Sequence, residues 1–459
     1  MEGEYVLTNK VAFVSLGCDK NLVDSEHMLG LLHEGGFQLT ADESEADVLV
    51  VNTCCFIEDA KRESIEQILE VAHYKTEGAC KALIVTGCMA QRYPEEIMEE
   101  LPEVDAVIGT TSYDKIVTIA GEILEKKGVR VKHFETIDRE YLEDMPRILT
   151  TAGYFAYLKI AEGCDNKCTY CIIPKLRGKY RSRAVAQIKK EAMKLAADGV
   201  SEIILVAQDT TCYGSDLDDQ TTLVTLLKEL GTVEGIEWIR ILYCYPETLT
   251  DELIEEIALN DKVCKYVDMP IQHAADPVLK RMARKSTHAQ LREVISKLRN
   301  RMPDIAIRTT LIVGFPGETE EDFNVLYDFV KDMRFDRLGV FTYSQEEGTA
   351  AERLPNQLDE ETKIKRKDAI MALQQTISEE LTHEKIGREM RVLIEGKLSE
   401  DDVYIGRTYQ DAPEVDGQVF IDFEGELISG DYVDVRIIGA NEYDLIGEII
   451  DAESTTQCK

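Results

Sequence analysis

Short apolar runs, each followed by a stretch with helical spacing, set the rhythm of the first part of the chain. VAFVSLG, DVLVVNT and ALIVTG are rich in Val, Leu and Ile with little polar alternation, as strands buried on both faces of a parallel sheet are. They are followed by DSEHMLGLLHEGG, EDAKRESIEQILEVAHY and YPEEIMEEL, and AVIG (106–109) reads as a fourth strand. This alternation predicts an open parallel α/β sheet domain over residues 9–125. The charged ETIDREYLEDMPR that follows reads as a linker.

A second α/β region is expected over 148–383. Its strand-like runs are YFAYLKIAEGC, EIILVAQ, WIRILYC, KYVDMP, AIRTTLIVGF and RLGVFTYS, with helical patterns between them. Six βα units are enough for a (β/α) barrel or a large part of one. A long amphipathic helix from Glu360 to Lys385 closes this region. From 386 to 453 the pattern changes to short strands between turn residues (REMRVLIEG, VYIGRTY, GQVFIDF, DYVDVRIIG, YDLIGEII), which predicts a small all-β module.

Composition narrows the class. At 459 residues the chain holds several domains, and its 44% hydrophobic content supplies ample cores. The opening MEGEYVLTNK is acidic and carries no apolar stretch, so it does not read as a signal peptide. No apolar run approaches the length of a membrane span. A cytoplasmic location, with reduced thiols, is therefore expected. The formal charge of −35 disfavours nucleic acid and favours basic partners.

The candidate chemistry lies in the cysteines. Cys164-x-x-x-Cys168-x-x-Cys171 places three thiols in one loop after a strand. Zinc normally takes a fourth protein ligand close by, yet the next cysteine, Cys212, lies forty-one residues on. Three thiolates on a four-iron–four-sulfur cluster leave one iron open. A second set is less obvious: the first three strands run into Cys18, Cys54 and Cys88. Ligands gather at the carboxyl ends of parallel strands, so these thiols should converge. A single cysteine there would read as a small buried hydrophobe, whereas three in register read as a second metal site. Cys55, Cys80, Cys212, Cys244, Cys264 and Cys458 read as core or surface thiols.

On these residues a resemblance becomes specific. GCDKNLVDSE, VNTC and TGCMA, the CxxxCxxC loop and the acidic β-tail resemble the methylthiotransferase family of radical S-adenosylmethionine (SAM) enzymes over nearly the whole chain. The resemblance implies an N-terminal cluster domain, a radical SAM barrel and a TRAM module. It further implies one [4Fe-4S] cluster on Cys164, Cys168 and Cys171, whose open iron takes SAM, and an auxiliary one on Cys18, Cys54 and Cys88, which holds sulfur. Two SAM are consumed per turnover, one as radical source and one as methyl donor, with an external low-potential electron donor. Tyr170 matches the aromatic position beside the adenine, and TTLIVGFPGETEEDF matches the strand passing it, implicating the backbone at Val313 and Gly314. Gln208 and Asp209 follow a barrel strand and are candidates for the SAM amino group. Thr319 is expected to cap a helix. Arg177, Arg181 and Arg183 read either as a solvated basic face or as a carboxylate clamp, and His273 as a structural histidine.

The family has two main branches, one modifying an adenosine beside the tRNA anticodon, the other an aspartate β-carbon in the twelfth small-subunit ribosomal protein. LVAQDTTCYG, FTYSQEEGTAA and GRTYQDAPEVDG resemble the second. Charge agrees: residues 386–453 carry eighteen Asp or Glu against five Lys or Arg, a formal −13 that repels tRNA and suits docking of a basic ribosomal protein. Asp401, Asp402, Asp411 and Glu414 are expected to contribute exposed charge. The tRNA-modifying enzyme and a non-catalytic iron–sulfur carrier or redox sensor are the rival readings.

Overall fold

The protein is described by a computed structural model covering residues 9–126, 128–218, 220–398 and 402–450. Its first sheet has six parallel strands, β1 (Lys10–Ser15), β2 (Gln38–Leu39), β3 (Val48–Thr53), β4 (Ala82–Gly87), β5 (Ala106–Ile108) and β6 (Val131–His133). They lie in the order β2-β1-β3-β4-β5-β6. Every residue of β3 and β4 is buried, because helices cover both faces. One apolar cluster holds Leu49, Val51, Leu83 and Val85, and the opposite one Val48, Val50, Ala82 and Ile84. Alternate side chains of one strand thus feed two cores, which is why these runs lack polar alternation. The sheet runs past residue 125, since β6 pairs with β5 at Ala106↔Val131.

The second sheet follows the linker: β7 (Phe155–Lys159), a small β8 (Ala161–Glu162) and β9 (Arg181–Ser182) pair beside it, then β10 (Glu202–Val206), β11 (Trp238–Ile241), β12 (Val263–Asp268), β13 (Ala306–Val313) and β14 (Arg337–Thr342). Six parallel strands in the order β14-β13-β12-β11-β10-β7 make an open partial barrel. Outward residues such as Leu158, Leu205, Ile239 and Val267 pack under the helices in the largest apolar cluster. Inward ones, including Tyr157, Ile204, Trp238 and Tyr266, meet Leu393 and Ala412 of the C-terminal module and Val23 of the N-terminal domain. The helix after β13 starts as expected: Thr319 accepts from Asp322 N and Asp322 answers to Thr319 N, a reciprocal cap over the acidic turn Glu320–Asp322. The helix Glu360–His383 packs along β14 and the helix Glu320–Met333.

The C-terminal module is a closed five-strand barrel: β15 (Glu389–Lys397), β16 (Val403–Thr408), β17 (Val419–Asp422), β18 (Tyr432–Ala440) and β19 (Leu445–Ile449). It is bolted to the partial barrel by buried charge. Arg407 meets Glu202 and Glu395, Arg240 bonds Glu202 at 2.8 Å, and Tyr266 Oη donates to Asp416 Oδ2 at 2.7 Å. Asp411, expected on the surface, is buried against Arg337 and Thr408. It serves the interface between modules and does not contribute to the external field. Asp401 and the tail that includes Cys458 lie outside the described residues.

Candidate active site

β1, β3 and β4 are adjacent, so their carboxyl ends bring Cys18, Cys54 and Cys88 to one edge of the sheet. Two glycines allow the close approach. Gly17 has φ +93, and a Cβ there would sit 2.8 Å from Cys54 Cβ and 3.1 Å from its Sγ. Gly87, at φ +91, lies against the end of β3, where a Cβ would meet Thr53 O at 2.4 Å. Cys88 then opens the helix Cys88–Arg92, and Cys18 directly precedes the helix Asp19–Glu34. Asn21 ties the edge together, its Nδ2 donating to Leu16 O at 3.1 Å and Thr53 O at 3.0 Å. Burial, with the neighbouring Cys88 thiol, pushes Cys54 up to about 12, and burial also raises Cys88.

Cys164, Cys168 and Cys171 sit in a loop after β8 that neighbours hold at several points. Cys164 N donates to Gly178 O at 3.1 Å, Thr169 N to Met282 O at 3.0 Å, and Ala351 N to Thr169 O at 2.8 Å. The three thiols line a cavity of about 590 Å³ that opens to solvent. Burial pushes Cys164 up to about 11 and Cys171 to about 12. Bare thiols so placed stay protonated at neutral pH and lose their protons to a metal.

Both triads suit soft metal chemistry, being thiols without a carboxylate or imidazole among them. Among the described residues no three His, Cys, Asp or Glu side chains close on a single ion. A lone zinc, with bonds of about 2.3 Å, needs that closure, whereas a cluster of several irons takes more widely spaced thiols. Each triad also has a buried guanidinium at one sulfur. Arg177 Nη2 lies 3.7 Å from Cys88 Sγ, and Arg284 Nη1 lies 3.9 Å from Cys168 Sγ while stacking on the Tyr245 ring.

Arg177 is therefore neither a solvated cation nor a free clamp. It belongs to a buried network that spans the two α/β domains and that sequence reasoning missed. Lys159 on β7 meets Asp24 of the helix Asp19–Glu34 and bonds Glu162 at 2.9 Å. Arg177 Nη1 bonds Asp24 at 2.7 Å and Glu162 at 3.3 Å, and Nη2 reaches Asn21. Burial works against ionisation of Glu162, but Lys159 and Arg177 outweigh it and hold the carboxyl well below its usual range. With two cations and two carboxylates the cluster is neutral, which lets it persist out of water. Arg183 is likewise spoken for, buried against Glu143 and Glu191. Arg181 donates to Lys179 O at 2.5 Å and Arg177 O at 3.1 Å.

A cleft of about 140 Å³ is lined by residues next in sequence to both triads. Phe56 and Ile57, just past Cys54, face Tyr170, Gln272, Thr310, Phe341 and Tyr343 across it. Tyr170 meets Phe315 edge-on at 6.5 Å, and Phe315 meets Tyr343 at 5.2 Å, so Tyr170 and the Val313–Gly314 segment share one corner. The space beside Gly314 is filled by Lys363, whose Cγ would lie 2.3 Å from a Cβ there. Gln208 and Asp209 do not line this cleft. Gln208 Nε2 donates to Glu162 at 2.5 Å, leaving its buried Oε1 unpartnered. Asp209 is occupied, accepting from Asn166 at 2.7 Å, Thr211 at 3.1 Å and Cys212 N at 3.2 Å. Gln272 Oε1 is buried without a partner among the described residues, and Gln272 holds φ +70, a strained conformation of the kind found at ligand sites. An aromatic corner with an unpaired acceptor fits an adenosyl group bearing an ammonium. His273 is structural: its Nδ1 accepts from Ala275 N at 3.0 Å, and burial pushes it down to about 3.

Comparison with known proteins agrees with this layout. Residues 10–109 match the Uncharacterized protein family UPF0004, 158–330 the Radical SAM superfamily and 386–450 the TRAM domain. Among solved structures, the chain is similar to the radical SAM methyltransferase TsrM from Kitasatospora setae, with cobalamin and a [4Fe-4S] cluster bound. The TM-score is 0.54 at 16% identity, over 73% of this chain and 75% of that one, a likeness of fold. Ribosomal protein uS12 methylthiotransferase RimO of Lachnoclostridium phytofermentans is 55% identical over 95% of this chain and 99% of its own length. The protein of the same name from Clostridioides difficile is 53% identical over 96% and 99%. Among the described residues no helix is long and apolar enough to cross a membrane. With this identity maintained from end to end, the chain belongs to the RimO family of radical SAM methylthiotransferases.

Proposed function

We propose that this protein places a methylthio group on the β-carbon of an aspartate in ribosomal protein uS12, using SAM and two [4Fe-4S] clusters. The observation that carries this reading is the presence of two thiol triads, one at the strand ends of the first α/β domain and one in the loop after β8 of the second, in domains tied together by the buried network of Asp24, Lys159, Glu162 and Arg177. When bound, the cluster on Cys164, Cys168 and Cys171 supplies reductive SAM cleavage, and that on Cys18, Cys54 and Cys88 supplies a place for sulfur. Tyr170 and Tyr343 wall the cleft and exclude water, with Phe315 packed behind both. Gln208 Oε1 and Gln272 Oε1 offer acceptors to an ammonium or a backbone amide. Asn21 and Arg177 keep the Cys88 edge aligned with the barrel, because one side chain bonds the other.

The acidic module presents the substrate. Asp411 and Asp416 are engaged at the barrel, whereas Glu414 is exposed as expected and Asp402, also exposed, pairs with Lys397; further external charge lies on Asp422, Glu424, Glu426 and Asp434, all exposed and without ion pairs among the described residues. Changing these four to amides should weaken binding of basic uS12 and flatten its salt dependence, chiefly through slower association. Titration at low and high salt checks this. An unchanged affinity and slope would remove the module from docking. Asp411→Asn, by contrast, strips Arg337 of its buried partner and should lower thermal stability.

A further inference from the structure

Among the described residues the six strands of the partial barrel lie in the order β14-β13-β12-β11-β10-β7, so β14 is an edge whose outer side pairs with no strand. Tyr343 N donates inward, to Val313 O at 2.9 Å. Alternate residues of a strand turn their amides to opposite sides, so Leu338, Val340 and Thr342 point theirs off the sheet. Natural edges are guarded by charge, proline or a bulge. β14 has none of these between Leu338 and Thr342 (LGVFT), and its register against β13 is unbroken. Leu338 and Val340 pack their side chains with Ile370 and Ile377 of the helix Glu360–His383. The other face is open: Phe341 is 51% exposed, and a Cβ on Gly339 would meet nothing within 4 Å. Half-buried Thr310 and Ile312, their partners on β13, floor a trough there. One end of it lies at the C-terminal module, where Arg337 meets Asp411 and Arg308 lies 3.5 Å from Asp416, next in sequence to the exposed Glu414 and Val415. At the other end Phe341 and Thr342 line the cleft with Phe56 and Tyr170.

We propose that the free edge of β14 takes an extended segment of the protein substrate as an added strand, its backbone paired with Leu338, Val340 and Thr342 and its target aspartate delivered to the cleft. The inference rests on the reading of basic uS12 as substrate. Position and charge choose this occupant. The edge joins the acidic module, of formal charge −13 over residues 386–453, to the cleft, so a basic chain held by that module reaches the cleft along β14. Main-chain pairing of this kind supplies affinity, alternate side chains supply specificity, and the open face at Gly339 leaves room for one of them. A second copy of this chain also offers a β14 edge, but a net charge of −35 on each copy opposes that pairing.

The test measures binding of a fluorescent peptide carrying the target aspartate of uS12 to the anaerobically purified full-length protein, without SAM or reductant. Peptides methylated at one backbone nitrogen at a time should lose affinity in alternation, about tenfold or more at every second residue and little between, because only alternate amides face the edge. In the protein, Thr342→Pro removes an outward N–H where an edge strand tolerates proline, and should weaken binding of the unmethylated peptide to a similar degree. Phe341→Lys, a guard charge on the open face, should do the same. An N-methyl series without alternation, while intact uS12 still binds, overturns this proposal alone. That series needs no variant of the protein, so it decides should either variant unfold. Equal affinity of the parent and both folded variants overturns the proposal too. So does dimerisation of the parent that Thr342→Pro abolishes while peptide affinity holds. If neither the peptide nor intact uS12 binds, the proposed function falls with it.

Discussion

Alanine at Cys18, Cys54 and Cys88 is expected to abolish methylthiolation outright while SAM cleavage to 5′-deoxyadenosine persists. The reason is the separation of the two sets: one ends β1, β3 and β4 of the first sheet, the other occupies a loop of the partial barrel. Each has its own supporting contacts, Asn21 for the first and Thr169 with Asp209 for the second. Iron should fall by about half, from about eight per chain, two clusters of four, to about four. The complementary alanines at Cys164, Cys168 and Cys171 should remove the other half and all SAM cleavage. Iron analysis and chromatography of the deoxyadenosine product read both. A variant of the first set that retains its barrel cluster yet cleaves no SAM would contradict separate roles.

Lys159→Met should destabilise the protein by about 3–5 kcal/mol, the usual consequence of removing one member of a buried ion pair. Lys159 is fully buried, and its loss leaves Asp24 and Glu162 facing only Arg177. One carboxylate is then uncompensated in a site closed to water. Because Asp24 belongs to the first domain and Lys159 to the second, the two should also uncouple, seen as earlier proteolysis of the linker between them. Adding Asp24→Leu restores charge balance and should recover part of the stability. Denaturant unfolding compares the three proteins. A single variant within about 0.5 kcal/mol of the parent, the level of an ordinary surface change, would show that the network does not lock the domains.

Much of this architecture can be read from the chain, for physical reasons that differ by element. The apolar runs of β3 and β4 are unambiguous because both faces of the sheet are covered. The convergence of Cys18, Cys54 and Cys88 follows from their common place at strand ends. β2 and β6 escape notice: Gln38–Leu39 is two residues long, and Val131–His133 carries a lysine and a histidine. Long-range charge pairing is the larger omission. Lys159 stands out as the one charge in FAYLK, but its partner Asp24 lies 135 residues earlier on another element. Arg177 and Arg183 look like a solvated run in KLRGKYRSR, and only the fold shows them turned inward. Asp411 deceives in the same way, since a turn-like setting says nothing about the barrel behind it. Gln272 combines a positive φ with an isolated bridge to Leu311, a long-range pairing that has no local signature.

The central claim is tested most directly by incubating the anaerobically reconstituted enzyme with SAM, a sulfur source and a reductant. Ribosomal protein uS12 and unmodified tRNA are offered in parallel, each followed by mass spectrometry. The account predicts the gain of one methylthio group on a single aspartate of uS12, with none on tRNA. A methylthio gain on a tRNA adenosine with uS12 unmodified would contradict it.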